Sequence, residues 1–174
     1  MARARARERP PVSASRRGLA GAVVRGRQVL LQRVASDRRK HARRFEVRRV
    51  DDGAVVGSIE ISRIARGNFK SAYLGYSVLP ADRGRGYMTE ALHLALRYAF
   101  RTLRLHRVEA NIEPGNEPSI ALVRRAGFTR EGFSRRYLKL GGRWRDHERW
   151  ALLAEDWRPS KRRVASPGSD RPRG

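Results

Sequence analysis

The sequence predicts an α+β domain with a mixed, mostly antiparallel sheet of about seven strands flanked by helices. Short segments of alternating apolar and polar residues fill the first half of the chain. One long helical pattern then lies in the middle, and alternating segments return around a Gly-Gly pair near the end. A length of 174 residues is enough for one domain of this kind.

The first four strands are expected to form an antiparallel meander. The residues Asp51, Asp52 and Gly53 form a tight-turn signal between the second and third strands, and Pro80 ends the fourth. The predicted strands cover residues 28–34, 45–50, 55–63 and 73–79.

A helix is predicted over residues 87–103, because an apolar stripe repeats with helical spacing at Met88, Leu92, Ala95, Ala99 and Leu103. The remaining elements are a strand at 107–112, a short helix at 118–126 that ends before Gly127, and a closing hairpin of strands 133–140 and 143–153.

The turn between the fourth strand and the long helix reads Arg83-Gly84-Arg85-Gly86. Glycines let a backbone approach an anion closely, and the first N–H groups of a helix have no partner inside the helix. The helix dipole and the two arginines add positive charge. No Gly-Lys-Ser/Thr follows, as a P-loop needs, and the dinucleotide-binding pattern is incomplete. We therefore interpret residues 83–88 as a pyrophosphate-binding turn.

The composition is strongly basic, with 40 lysines and arginines against 17 acids and a net charge of +23. The positive charge is concentrated in residues 1–18, 25–49 and 158–174. We expect the first and last of these segments to be disordered tails around a domain at 19–157, and to contact RNA non-specifically.

Cysteine is absent, which suits a reducing cytoplasm, and the four histidines lack metal-ligand spacing. No metal and no membrane span are expected.

A second segment, Asn116-Glu117-Pro118-Ser119, strengthens the anion-site hypothesis. Together with the glycine-rich turn, it resembles the acetyl-CoA-binding core of the GNAT N-acetyltransferases. The segments Gly75-Tyr76-Ser77 and Gly142-Arg143-Trp144-Arg145-Asp146-His147 resemble the RimJ/RimL branch of that family.

The resemblance implies a GNAT fold, acetyl-CoA as cosubstrate, and acetylation of a protein N-terminal α-amine, with a ribosomal protein as the expected acceptor. Two alternatives stay open: a small-molecule amine acetyltransferase, and a non-catalytic remnant associated with RNA or the ribosome. The chain is expected to be a monomer or a homodimer.

The strand pattern and the resemblance together predict roles for individual residues. From its place on the third predicted strand, between Ile59 and Ile61, Glu60 is the candidate general base, with Glu109 and Asp146 as alternatives. The resemblance implies Ser119 as the candidate acid, because Val123 holds the position where many family members have a tyrosine. Structural roles are the alternatives: an arginine-paired strand glutamate for Glu60, and helix capping for Ser119. The cofactor-binding candidates are Val78, Arg83, Gly84, Arg85, Gly86, Tyr87, Met88, Asn111, Asn116 and Ser119. The acceptor-binding candidates are Tyr137, Trp144 and Asp146.

One departure from the family concerns the connection between the first two predicted strands. Family members usually have two helices there, which form much of the wall around the acceptor, whereas only residues 35–44 separate Val34 from Phe45 here. Three interpretations stay open. The acceptor site is unusually open, or a second subunit or the basic tails complete it, or the chain has lost acceptor binding.

Overall fold

A computed structural model describes residues 23–26, 28–34 and 41–159. The predicted tail at 1–18, nearly all of that at 158–174, and the connection at 35–40 lie outside the described residues. The strands are β1 Val23–Arg25, β2 Val29–Arg33, β3 Arg43–Arg49, β4 Val55–Ser62, β5 Ser71–Val78, β6 Arg107–Ile112, β7 Thr129–Leu140 and β8 Arg143–Leu153. The α-helices are α1 Tyr87–Arg97 and α2 Glu117–Arg125.

The strands form one sheet in the order β1-β2-β3-β4-β5-β6-β8-β7. All neighbours are antiparallel except β5 and β6, which are parallel. The predicted fold class, the meander and the closing hairpin are therefore confirmed. The sheet contains one strand more than expected, because the three-residue β1 pairs with β2 at the edge.

The long predicted helix is α-helical only as far as Arg97. It continues as a π-helical segment from Tyr98 to Thr102, in which the Leu103 N–H donates to the Tyr98 carbonyl at 3.0 Å. The apolar stripe is buried along both parts. The wider π-helical turn leaves Tyr98 edge-on to Phe45, with ring centroids 5.2 Å apart.

The core lies on one face of the sheet. Phe45, Ile59 and Ile61 are at most 1% exposed and alternate with half-buried or exposed polar residues. Helix α1 packs against β2, β3 and β4, and α2 packs against β6. Tyr76, which shares the inward side of β5 with Leu74, reaches α2.

The opposite face, which we call the outward face, is polar. Three ion pairs lie on it: Arg44 with Glu60 at 3.3 Å, Arg48 with Glu46 at 2.6 Å, and Arg107 with Glu109 at 3.0 Å. Within the described part of the chain, no helix covers this face, since both α-helices follow β5 and pack on the other side.

Candidate functional site

A gap opens in the middle of the sheet where β5 and β6 separate. The two strands pair from Ser71↔Arg107 to Tyr73↔Glu109, and the pairing then stops although both strands continue. On this side, the backbone of β5 from Leu74 to Val78 has no strand partner. Backbone groups of this kind can bind an extended, amide-containing ligand in the way that a sheet edge binds a peptide.

Tyr76 spans the gap on the inward side. Its Oη donates a hydrogen bond to the backbone carbonyl of Ser119 at 3.3 Å, which links β5 to α2. Burial raises the pKa of Tyr76, and the contact with Ser119 opposes that shift. The phenol is therefore neutral at physiological pH and acts as a hydrogen-bond donor there.

The glycine-rich turn follows β5 and leads into α1. Gly84 has φ 75° and Gly86 has φ 82°, and no side chain caps the helix at Gly86. A Cβ atom added to Gly84 would meet nothing within 4 Å. Arg83 and Arg85 are exposed, and neither pairs with an acid among the described residues. Uncapped N–H groups and two guanidinium groups thus border open space, which fits a diphosphate.

The first residues of α1 are held from two sides. Tyr87 forms a hydrogen bond with Arg49, which also pairs with Asp52 in the turn between β3 and β4. On the other side, the Glu90 carboxylate accepts from the Gln28 N–H at 3.0 Å. Met88 is 8% exposed and belongs to the core, so its side chain packs inward and only its backbone borders the turn.

Three predicted residues around α2 differ in what their side chains do. Asn116 caps the helix, since its Oδ1 accepts from the Ser119 N–H at 3.3 Å. The Oδ1 of Asn111 is buried without a hydrogen-bond partner among the described residues. Val123 is fully buried, and as an apolar side chain it cannot donate a proton. The capping role proposed as the alternative for Ser119 is thus performed by Asn116.

Glu60 lies on the outward face, as the alternation predicts. Its carboxylate pairs with Arg44 at 3.3 Å and remains 38% exposed. Together with Gly75, Tyr76 and Ser77, these residues line a depression of about 320 Å³ beside the strand gap. Glu60 therefore has the ion pair with an arginine that a purely structural role would predict. Its carboxylate also lines the depression next to the strand gap, as a general base would require.

The acceptor candidates divide into two groups. Trp144 and Asp146 line an open concavity of about 700 Å³, bounded on its other side by residues 113–116 and Pro118. Asp146 Oδ1 accepts from the Arg136 N–H at 2.7 Å, so it stabilises the irregular part of β7. Tyr137 lies apart from both depressions and hydrogen-bonds to Tyr73, and that bond raises the pKa of Tyr73. The structure therefore brings Trp144, Asp146 and Asn116 together, and it places Glu60 in a separate depression.

Sequence reasoning missed the bridging role of Tyr76 and the anchoring role of Arg49. The signal for Tyr76 was its position two residues after Leu74 on an alternating strand, which places it on the inward side. Nothing in the local pattern connects Arg49 with Tyr87.

Among the described residues, no group of three or more His, Asp or Glu side chains lies where it could hold a metal ion. No helix among these residues is both long and apolar enough to span a membrane.

Comparison with known proteins identifies the family. Residues 11–129 match the acetyltransferase (GNAT) domain. The chain belongs to the GNAT acetyltransferase family. It is 42% identical to the [ribosomal protein uS5]-alanine N-acetyltransferase of Escherichia coli K12 over 64% of this chain and 57% of that protein. It is 37% identical to the probable N-acetyltransferase YjcK of Bacillus subtilis over 72% of this chain and 67% of that one.

Solved structures agree with this assignment. Mycobacterium smegmatis RimJ in complex with CoA-disulfide superimposes with a TM-score of 0.63 at 38% identity, covering 66% of this chain and 54% of that one. The resemblance to RimJ is therefore confirmed. A more distant GNAT relative is a spermidine N(1)-acetyltransferase of Vibrio cholerae, 29% identical over 64% of this chain and 63% of that protein. The chain spans 57% of the length of its Escherichia coli relative.

Proposed function

We propose that this GNAT chain transfers the acetyl group of acetyl-CoA to the N-terminal α-amine of a protein, and that ribosomal proteins are the substrate class. The observation that carries the proposal is the strand gap beside an uncapped, glycine-rich helix start. The similarity to uS5-alanine N-acetyltransferase supports the choice of acceptor. We place the reaction in the cytoplasm, where ribosomal proteins are found.

The parts of the cosubstrate match the parts of the site. The backbone N–H groups at the start of α1 and the side chains of Arg83 and Arg85 would bind the diphosphate. The unpaired edge of β5 from Leu74 to Val78 would bind the amide groups of the pantetheine arm. Asn111, with its unpartnered Oδ1, is assigned to the same arm.

In the transfer step, the amine nitrogen attacks the thioester carbonyl carbon. A C–N bond forms, the C–S bond breaks, and the bonding electron pair leaves with sulfur. One proton must leave the nitrogen and one must reach the thiolate. We assign the first transfer to Glu60 and the second to the Ser119 hydroxyl, on the opposite side of the gap from β5.

An α-amine makes modest demands on the base. Its reference pKa is about 7.7–8.0, so roughly a tenth is already neutral at pH 7. Holding the amine and the thioester together supplies most of the rate enhancement. A partly exposed carboxylate such as Glu60 is adequate for the remaining proton transfer.

We assign the body of the acceptor peptide to the concavity that Trp144 and Asp146 line, with Tyr137 as a more distant contact. Its terminal amine would have to extend from there to the strand gap beside the separate depression that holds Glu60. The second candidate function is acetylation of a polyamine, which the spermidine acetyltransferase relative favours. A net charge of +23 would repel a polycation and so disfavours that alternative.

Mass spectrometry with a substrate panel tests the proposal. Peptides beginning with Ala, Ser or Met are compared with spermidine and an aminoglycoside in the presence of acetyl-CoA, while free thiol is followed. The expected result is one acetyl group on the peptide α-amine. Turnover of spermidine without peptide turnover would refute the acceptor assignment. CoA binding without transfer to any amine would favour the non-catalytic alternative.

A further inference from the structure

The hairpin formed by β7 and β8 carries an unusual group of exposed residues. We call it the hairpin patch, and it consists of Arg135, Arg136, Lys139, Arg143, Trp144 and Arg145, all of them exposed. Trp144 is 60% exposed, whereas Trp150 and Trp157 are at most 7% exposed. A large exposed aromatic side chain among cations marks a binding surface rather than a core.

The cations of the hairpin patch differ from those of the outward face. Arg44, Arg48 and Arg107 each pair with a glutamate. None of the five cations in the hairpin patch has an acidic side-chain partner among the described residues. Their charge is uncompensated and available to a polyanion.

The backbone of the hairpin sets where these groups lie. Lys139 is directly opposite Trp144 in the register, so the two side chains lie on the same side of the sheet. The register shifts between Ser134 and Leu138, where Arg136 adopts φ 47°. The Asp146 carboxylate accepts the Arg136 N–H at 2.7 Å and fixes this irregular turn. Trp144 and Lys139 therefore share one side of the hairpin. Arg143 and Arg145, which flank Trp144 on β8, start from the other side, and Arg136 and Arg145 line the same concavity as Trp144.

We propose that the hairpin patch binds single-stranded nucleic acid. An unpaired base can stack on the Trp144 ring, and successive phosphates can contact the arginines and Lys139. This combination of an aromatic platform and a cationic track is how proteins bind single strands without reading their sequence. An acidic peptide would satisfy the cations but would leave the exposed ring unused. The proposal concerns binding only and does not depend on acetyl transfer. Because Trp144 also lines the concavity assigned to the acceptor peptide, a bound single strand and a bound acceptor would exclude each other there.

Tryptophan fluorescence of the full chain tests the stacking contact. Among the three tryptophans, Trp144 alone is exposed, so quenching by a short oligouridylate reports on this residue. The Trp144→Ala variant should bind the oligonucleotide about 5- to 150-fold more weakly by fluorescence anisotropy. The Trp144→Phe variant should retain most of the affinity. A duplex of equal length should compete weakly, and comparison of RNA with DNA oligomers distinguishes the two sources of the ligand.

Matched charge variants separate the hairpin from the remaining basic surface. The triple variant Arg135→Gln, Lys139→Gln, Arg143→Gln is compared with the control Lys70→Gln, Arg104→Gln, Arg125→Gln, which removes equal charge from exposed residues elsewhere. The slope of log affinity against log salt should fall by about 2 in the hairpin variant and by less in the control.

Three outcomes would overturn the proposal. The first is that Trp144 fluorescence is not quenched when the protein is saturated with RNA. The second is that the two triple variants lose equal affinity for the single strand. The third is that an acidic peptide competes for the patch as well as the single strand does. The second would assign RNA binding to general basicity.

Discussion

The strongest test of the cofactor site is Gly86→Glu. Gly86 adopts φ 82° and ψ −6° at the start of α1, and the nearest atom to an added Cβ is the Gln28 Oε1 at 4.0 Å. The substitution therefore causes no steric clash, and its cost to stability is the left-handed conformation, about 1–2 kcal/mol. For a domain of this size, that lowers Tm by roughly 2–8 °C.

The effect on CoA binding should be much larger. The new carboxylate would lie beside the N–H groups assigned to the diphosphate. Losing two hydrogen bonds to a charged group removes at least about 3 kcal/mol, which corresponds to an affinity loss of roughly 150-fold. Isothermal titration with CoA measures this loss directly.

Gly67→Glu is the matched control for this test. Gly67 has φ 64° and open space around its Cβ position, and it lies in the loop between β4 and β5. It should lose similar thermal stability and bind CoA like the wild type. Equal CoA affinity in both variants would show that the turn at residues 83–88 does not bind the cofactor.

Three further predictions concern proton transfer, packing and pH. Glu60→Gln should reduce peptide acetylation about tenfold at pH 7 and little at pH 9, where the α-amine is already neutral; Glu46→Gln, also paired with an arginine on the outward face, should change neither rate. Tyr76→Phe removes the bond to Ser119 and should cost about 0.5–1.5 kcal/mol in thermal unfolding, and no change would mean that the bond contributes nothing. Arg49 lowers the pKa of Asp52 to about 2 from 3.8, so this group stabilises the fold above pH 4 and loses that effect as the pH falls to 2. The Asp52→Asn variant should have a shallower decline of Tm with acid in that range, and an unchanged decline would contradict the pairing.

Local patterns predicted the parts of the fold that depend on alternation and turns. The pattern around Glu60 placed Ile59 and Ile61 in the core and the carboxylate outside. The glycine-rich turn was predicted at its observed position. Strand β1 was missed because three residues are too few for a period to appear.

Other features depend on contacts between distant residues. The point where β5 leaves β6 is set by tertiary packing, and so is the contact of Tyr76 with Ser119. Tyr137 and Trp144 were expected to share a site, but the register shift in β7 breaks the alternation between them. No local signal indicates where such a shift occurs.

The polar outward face bears on which acceptor the chain can use. Antiparallel sheets can leave one face in water when that face is polar, and Ser58, Glu60 and Ser62 satisfy this requirement on β4. The depression at Glu60 and the concavity at Trp144 are therefore both open within the described part of the chain. A small amine normally gains affinity by burying most of its surface in an enclosed pocket. An open site offers little such burial, whereas a protein substrate can add contacts beyond its terminal amine. Among the described residues, this openness fits the proposed polypeptide acceptor better than a free small amine.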